Sequence, residues 1–249
     1  MIALFDSGNS YLHFGRWDGI TVTDAMSIPY PENIDQIDDT VSSLFKTHKP
    51  EAAAACSVNS RWRKYLFEAI HKQVSGKLYV ARYAFDIEVT VAYDNPSTFG
   101  IDRALGAYAA YKYFKNSCVV VDAGTAVTID AVEPDGKVRG GYIFPGKQTL
   151  IHGLSLQTDL PYIDNEYIGA DIGTDTASCI NSGATLGIAG AVSNLVRYAC
   201  EFVHCNERVV ITGGGAKQLR KYIPIDMVYK PSLVLEGLGF TFDKLPKYA

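Results

Sequence analysis

The chain lacks the features that mark several protein classes. No apolar run approaches the ~20 residues that a membrane-spanning helix needs. Ile2-Ala3-Leu4-Phe5 gives way to Asp6, too short a stretch for a secretory leader. Basic residues are not in excess. The 23 Lys and Arg face 27 Asp and Glu, and a net charge of −4 argues against a nucleic-acid binder, which needs a basic face. The five cysteines (Cys56, Cys118, Cys179, Cys200, Cys205) are odd in number and fall in no metal or redox spacing. Reduced thiols in a cytoplasmic protein are the expectation, with Cys179 a core residue rather than a nucleophile. No linker, low-complexity stretch or charge run is visible. An acidic chain of this kind can hold anions only by gathering positive potential locally, from backbone N–H groups, a few Arg or Lys, and metal ions.

What is present is an internal echo. Ala3-Leu4-Phe5-Asp6-Ser7-Gly8-Asn9 resembles Val119-Val120-Val121-Asp122-Ala123-Gly124-Thr125. Each is an apolar strand ending in Asp-x-Gly, followed by a second strand, a turn (Asp18-Gly19, and Pro134-Asp135-Gly136) and a third strand. A duplicated α/β unit explains the pair. Helical spacing runs through Ile34, Ile37, Val41, Leu44 and Phe45, and again through Trp62, Tyr65, Leu66, Ala69 and Ile70. Short apolar strands are predicted at 52–56, 78–81 and 208–212, and helices at 103–114, 149–157 and 185–201. The domain division is expected near Lys115 to Ser117, giving domains 1–115 and 116–249.

Three elements carry chemistry. In Asp6-Ser7-Gly8-Asn9-Ser10, a turn between strands presents successive backbone N–H groups, Gly8 permits close approach of an anion, and Asn9 and Ser10 add side-chain donors. Asp6 can hold Mg²⁺, because hard cations prefer oxygen ligands. Asp122-Ala123-Gly124-Thr125-Ala126 is a second loop of the same design. Val209-Val210-Ile211-Thr212 runs into Gly213-Gly214-Gly215, where three glycines allow a ligand close to the backbone. Taken singly, each is also a plain turn.

The paired loops resemble those of the actin, sugar kinase and heat-shock ATPase superfamily. That resemblance implies two ribonuclease H-like domains with mixed sheets and ATP in a nucleotide cleft between them. A closer resemblance rests on Gly100-Ile101-Asp102-Arg103, with Tyr93 seven residues before the glycine. It continues through Gly140-Gly141-Tyr142-Ile143-Phe144-Pro145-Gly146, Leu160-Pro161, Gly173-Thr174-Asp175-Thr176 and Ser182-Gly183. In that order these motifs are similar to type III pantothenate kinases over nearly the whole chain. The resemblance implies phosphorylation of pantothenate by ATP, with Asp102 as the catalytic base. Tyr93, Gly100, Ile101, Asp102, Arg103 and Thr176 match its pantothenate-contacting positions. Asp6, Ser7, Gly8, Asn9, Ser10, Tyr11, Leu12 and His13 match its first ATP loop, and Thr125 a further ATP contact. Asp122 matches a site for K⁺ or NH₄⁺. The resemblance also suggests a homodimer, and the helix from Arg103 is apolar nearly all round, as a helix is when buried in a core or against a partner.

Two positions depart from the pattern. His13 stands where many relatives have Lys, and reads as a strand histidine or a loop contact. Lys147, after Pro145-Gly146, is a solvated lysine or an anion contact. Two other readings stay open from the sequence: a kinase for another small alcohol such as a sugar, and a non-catalytic transcription accessory factor.

Overall fold

The computed structural model describes residues 1–45, 50–163, 171–206 and 208–245. The chain opens with a meander of β1 (Ile2–Ser7), β2 (Tyr11–Trp17) and β3 (Val22–Pro29). It continues through α1 (Ile37–Ser43), β4 (Ala53–Ser57), α2 (Arg63–Gln73), β5 (Leu78–Ala81) and α3 (Ile101–Phe114). The sheet order is β3-β2-β1-β4-β5, antiparallel on the meander side and parallel where helices make the crossovers. Residues 3–7 of β1 and all of β4 are buried, as central strands covered on both faces must be. One face packs Phe5, Phe14 and Phe45 at centroid separations of 5.2 to 6.0 Å, joined by Leu66 and Ile70 of α2.

The second half repeats the plan with β6 (Cys118–Ala123), β7 (Ala126–Val132) and β8 (Val138–Pro145). There follow α4 (Lys147–Gln157), α5 (Thr176–Val203), β9 (Val209–Thr212), α6 (Ala216–Leu219) and β10 (Val228–Tyr229). Its order, β8-β7-β6-β9-β10, is that of the first sheet strand for strand. The duplication read from two Asp-x-Gly turns therefore extends over both mixed sheets. Among the described residues α5 alone is long and apolar enough to cross a membrane by length and composition. Its Ile188, Val192, Val196, Ala199 and Val203 are buried in the core of the second sheet.

The last helix, α7 (Leu233–Phe242), corrects the expected domain division. The two compact units are Met1–Lys112 together with the chain from Ser232, and Tyr113–Pro231. Residues from Ser232 thus leave the domain 116–249 in which the sequence reading placed them. The packing explains why. Gly237 lies against the backbone of Leu105 and Gly239 against the Trp17 ring, so any side chain at either glycine would collide. Trp17 also stacks edge-on with Phe240 at 5.1 Å and donates its indole N–H to Asp243 at 2.9 Å. The apolar helix α3 is buried from Ala104 to Ala110 within the chain, so its composition alone gives no reason for a partner subunit.

Candidate active site

In the first unit, Asp6 and Cys56 face each other across the parallel pair β1–β4. The Cys56 thiol donates to Asp6 Oδ1 at 3.3 Å. Burial, first, and then the nearby Asp6 and Asp102 carboxylates push that thiol far above its ordinary pKa. Cys56, at the carboxyl side of β4, therefore hydrogen-bonds Asp6 and feels the charge of Asp102, which stands at the amino end of α3.

The first loop is held in shape from three directions. Gly8 N–H donates to the Tyr11 carbonyl at 3.1 Å, and Tyr30 Oη donates to the Gly8 carbonyl at 2.9 Å while lying 2.7 Å from Ser7 Oγ. Ser57 Oγ donates to Ser7 Oγ at 3.0 Å, and Asn59 Nδ2 donates to the Asn9 carbonyl at 3.1 Å. Asn9, Ser10 and Tyr11 are exposed on the loop, whereas Leu12 points into the core. His13 pairs with Asp6 across β1–β2. Its Nδ1 lies 2.8 Å from Ser27 Oγ, and Nε2 stands 3.7 Å from where a Cβ on Gly8 would be, so the ring borders the loop. Burial lowers its pKa from the usual imidazole range, so the ring is neutral at pH 7.

Asp102 follows Ile101 in the first turn of α3, where the helix dipole favours an anion. Its Oδ1 accepts the Arg103 N–H at 2.8 Å. Burial nevertheless raises the carboxyl pKa, and the Arg103 N–H and guanidinium offset this only in part. Gly100 is glycine because a Cβ there would stand 2.5 Å from Asp102 Oδ1. The seven-residue spacing from Tyr93 to Gly100 also has a cause. Asn95 caps a short 3-10 turn at Pro96–Thr98, which brings Tyr93 edge-on to Phe99 at 5.0 Å. Arg103 then lies over Phe99 at 4.3 Å and donates to Tyr93 Oη at 3.3 Å. Tyr93, Phe99 and Arg103 form one rigid wall beside Asp102.

In the second unit, Asp122 occupies the position equivalent to Asp6, and pairs with Thr212 as Asp6 pairs with Cys56. The loop Gly124–Ala126 is one residue shorter than Gly8–Tyr11. Two flanking elements clamp it. Gly146 N–H and Thr149 Oγ1 donate to the Thr125 carbonyl at 3.0 and 2.6 Å, and Gly215 N–H donates to the Ala123 carbonyl at 2.9 Å. Gly213 adopts φ +94° against Asp122 Oδ1 and the Ala123 backbone, a place no side chain can occupy. The Pro145-Gly146 and Gly213-Gly214-Gly215 motifs thus serve the same loop. Lys147 opens α4 half-buried, and burial lowers its pKa. Thr176 is exposed at the start of α5, next to the Asp175 cap. Cys179 is exposed too, which corrects its expected place in the core.

Comparison with known proteins decides what this pair of loops belongs to. The family profile described as type III pantothenate kinase matches residues 2–198. This chain is a member of the type III pantothenate kinase family. The type III pantothenate kinase of Desulfatibacillum aliphaticivorans is 32% identical over 98% of this chain and 99% of its own. That of Alkalilimnicola ehrlichii is 32% identical over 95% of each chain. Among solved structures, a Campylobacter jejuni protein assigned to the Baf family of transcriptional activators superposes with TM-score 0.63 at 21% identity, over 97% of this chain and 98% of that one. The polyphosphate/ATP-glucomannokinase of an Arthrobacter strain gives 0.53 at 12% identity, over 98% and 99%. At such identities these two establish the fold alone, the two-domain α/β fold of the sugar kinases.

Several site residues escaped the sequence reading: Tyr30, Cys56, Ser57, Asn59, Phe99 and Thr149. A signal existed for one of them. Once β1 and β6 are recognised as a repeat, β4 and β9 are the next equivalent strands, and Cys56 stands opposite Asp6 as Thr212 stands opposite Asp122.

Proposed function

We propose that this chain transfers the γ-phosphoryl group of ATP to the terminal hydroxyl of pantothenate, giving 4′-phosphopantothenate, the first step of coenzyme A synthesis. Membership of the pantothenate kinase family supports the reaction. The observation that carries the mechanism is Asp102, a carboxylate made more basic by burial, beside the wall of Tyr93, Phe99 and Arg103. A positioned base of raised pKa takes the proton of the attacking hydroxyl more readily than an ordinary carboxylate. Arg103, fixed by its contacts to Phe99 and Tyr93, pairs with the pantothenate carboxylate. Gly100, Ile101 and Thr176 complete the pantothenate contacts. The hydroxyl oxygen attacks phosphorus directly, in line, and ADP leaves.

The loop 6–13 and Thr125 contact the ATP phosphates. Backbone N–H groups supply most of the positive potential, since His13 is neutral at pH 7. Asp6 would hold Mg²⁺. A single carboxylate beside a phosphate loop suits that ion, which keeps waters and phosphate oxygens as its other ligands. Asp122, a carboxylate beside Gly213 and Gly124, has the oxygen chemistry for K⁺ or NH₄⁺. Bound there, the cations would neutralise charge on the phosphates. We place the enzyme in the cytoplasm as a homodimer. Exposed Leu186, Tyr198 and Phe202 on α5 favour a covered face, and sedimentation at assay concentration tests it.

An ADP-release assay tests the activity. ADP formation should require pantothenate. Release stimulated by a sugar instead would support the other kinase reading, and ATP binding without turnover would support an accessory factor.

A further inference from the structure

Three of the five cysteines, scattered in sequence, converge at the end of the second sheet's central strand remote from its loop. Cys200 lies in the last turn of α5, Cys205 just beyond it, and Cys118 begins β6. The end of α5 explains the first two. His204 takes the left-handed conformation (φ 51°, ψ 42°), Cys205 N–H donates to the Cys200 carbonyl at 2.9 Å, and His204 N–H donates to the Glu201 carbonyl at 3.3 Å. These are the two hydrogen bonds of a Schellman cap, which brings its first and last side chains together, usually as an apolar contact. Here both are cysteines, and their sulfurs stand 2.8 Å apart.

We propose that Cys200 and Cys205 are a redox site, oxidised by hydroperoxides to an intramolecular disulfide and returned by thiols. The surroundings favour it. The contact with Cys200 lowers the Cys205 thiol pKa, against burial and with help from Arg208, while the Cys200 thiol is raised by the same contact and by burial. Arg208 is fixed by donating to the Ser117 carbonyl at 2.7 Å and to Ser117 Oγ at 3.0 Å. Peroxide reaches the pair from the side of Cys200, which is half-exposed. The Cys205 thiolate takes one peroxide oxygen, giving a sulfenic acid and hydroxide. The Cys200 sulfur then attacks that of Cys205, the S–S bond forms, and the hydroxyl leaves as water with the Cys200 proton. Two thiols lose two electrons and the peroxide gains them. Cys118 is fully buried and its thiol is pushed up to about 12, chiefly by burial, so it stays out of the exchange.

The test is titration of the folded protein with hydrogen peroxide, followed by denaturation, alkylation and peptide mapping. The thiol count should fall from five to three, the intact mass should drop by two hydrogens, and one cross-linked peptide should join Cys200 to Cys205. Dithiothreitol should restore all five. Cys200→Ser and Cys205→Ser should each abolish the cross-link, and Cys118→Ser should leave it. Five thiols after peroxide, a cross-link through Cys118, or Cys205 over-oxidised with Cys200 untouched would overturn the proposal.

Discussion

Gly100→Ala isolates the placement of the Asp102 carboxylate, the base of the proposed reaction. The backbone at Gly100 is not in the left-handed region, so alanine meets no conformational strain there, only Asp102 Oδ1 at 2.5 Å from its methyl group. Ordinary contact begins near 3.4 Å, so the oxygen must retreat by about 0.9 Å. It cannot do so freely, because the same oxygen accepts the Arg103 N–H at 2.8 Å. A displacement of about 1 Å in a reacting group lowers rate by roughly a hundredfold. Gly100→Ala should therefore reduce kcat by about 30- to 100-fold in the ADP-release assay, while the protein remains folded by circular dichroism. If the effect passes through Asp102, Gly100→Ala combined with Asp102→Asn should be no slower than Asp102→Asn alone, the non-additivity of residues acting as a unit. A kcat within twofold of the parent would show that the carboxylate does not need the place in which the structure holds it.

Asp102→Asn should lower kcat by about a hundred- to ten-thousandfold, the usual loss for a positioned base, and near-normal turnover would remove Asp102 from the mechanism. The same substitution should raise Tm at neutral pH. With the folded pKa raised, the stability linked to Asp102 is fully present below the ordinary carboxylate pKa of about 3.9 and is lost as pH rises through the folded value, a loss the amide avoids. By the same sign, the acid limb of the parent's kcat profile should lie above that ordinary value, and a limb at or below it would contradict the burial effect. Asp6→Asn should weaken the Mg²⁺ dependence of turnover and Thr125→Val the KM for ATP; unchanged kcat/KM for ATP in both would defeat the two-loop model. Replacing K⁺ by Na⁺ at constant ionic strength should slow the enzyme, and equal rates would argue against a cation at Asp122. His13→Lys should lower the KM for ATP between pH 7 and 8, where the native ring is neutral, and a KM that does not move would place position 13 outside the phosphate field.

Much of the fold was legible because the two hairpins announce themselves through local chemistry. A strand, Asp-x-Gly, a strand and a turn form a pattern that short-range sterics fix, and its recurrence gave the duplication. Strand β5 falls where its apolar run placed it, at Leu78–Ala81, and β4 within a residue. The long helix α5 was read from 185 but starts at Thr176. Its first turns carry Ser178, Asn181, Ser182 and Gly183, which have weak helix propensity, and it is the Asp175–Ser178 capping box that starts it. Helix α7 was missed and the domain boundary with it. Leu233–Phe242 is apolar on most sides, so nothing in its periodicity says which sheet it covers. That is decided by the fit of Gly237 and Gly239 to Leu105 and Trp17, residues far away in sequence.

The duplicated topology puts two like carboxylates in two different settings. Asp6 and Asp122 hold the same position on equivalent strands, yet their neighbours differ. Across the parallel pair, Asp6 meets a thiol that donates to it, whereas Asp122 meets Thr212 and the tightly turned Gly213. Cys56, which donates to Asp6, also feels a second carboxylate, Asp102, whose charge is disfavoured by burial. In the proposed function Asp6 holds Mg²⁺, and a positive charge brought into the surroundings of a buried carboxylate favours its ionised form. It follows that the proton affinity of Asp102 should fall when the cation and nucleotide bind, and that the base should be readiest to ionise only once ATP is in place. The acid limb of kcat, measured on the loaded enzyme, should therefore lie at lower pH than the acid limb of kcat/KM for ATP, which reports the form before nucleotide binds. Coincident limbs would mean that Asp102 titrates without sensing the cation at Asp6, and that this cation has no part in timing the proton transfer.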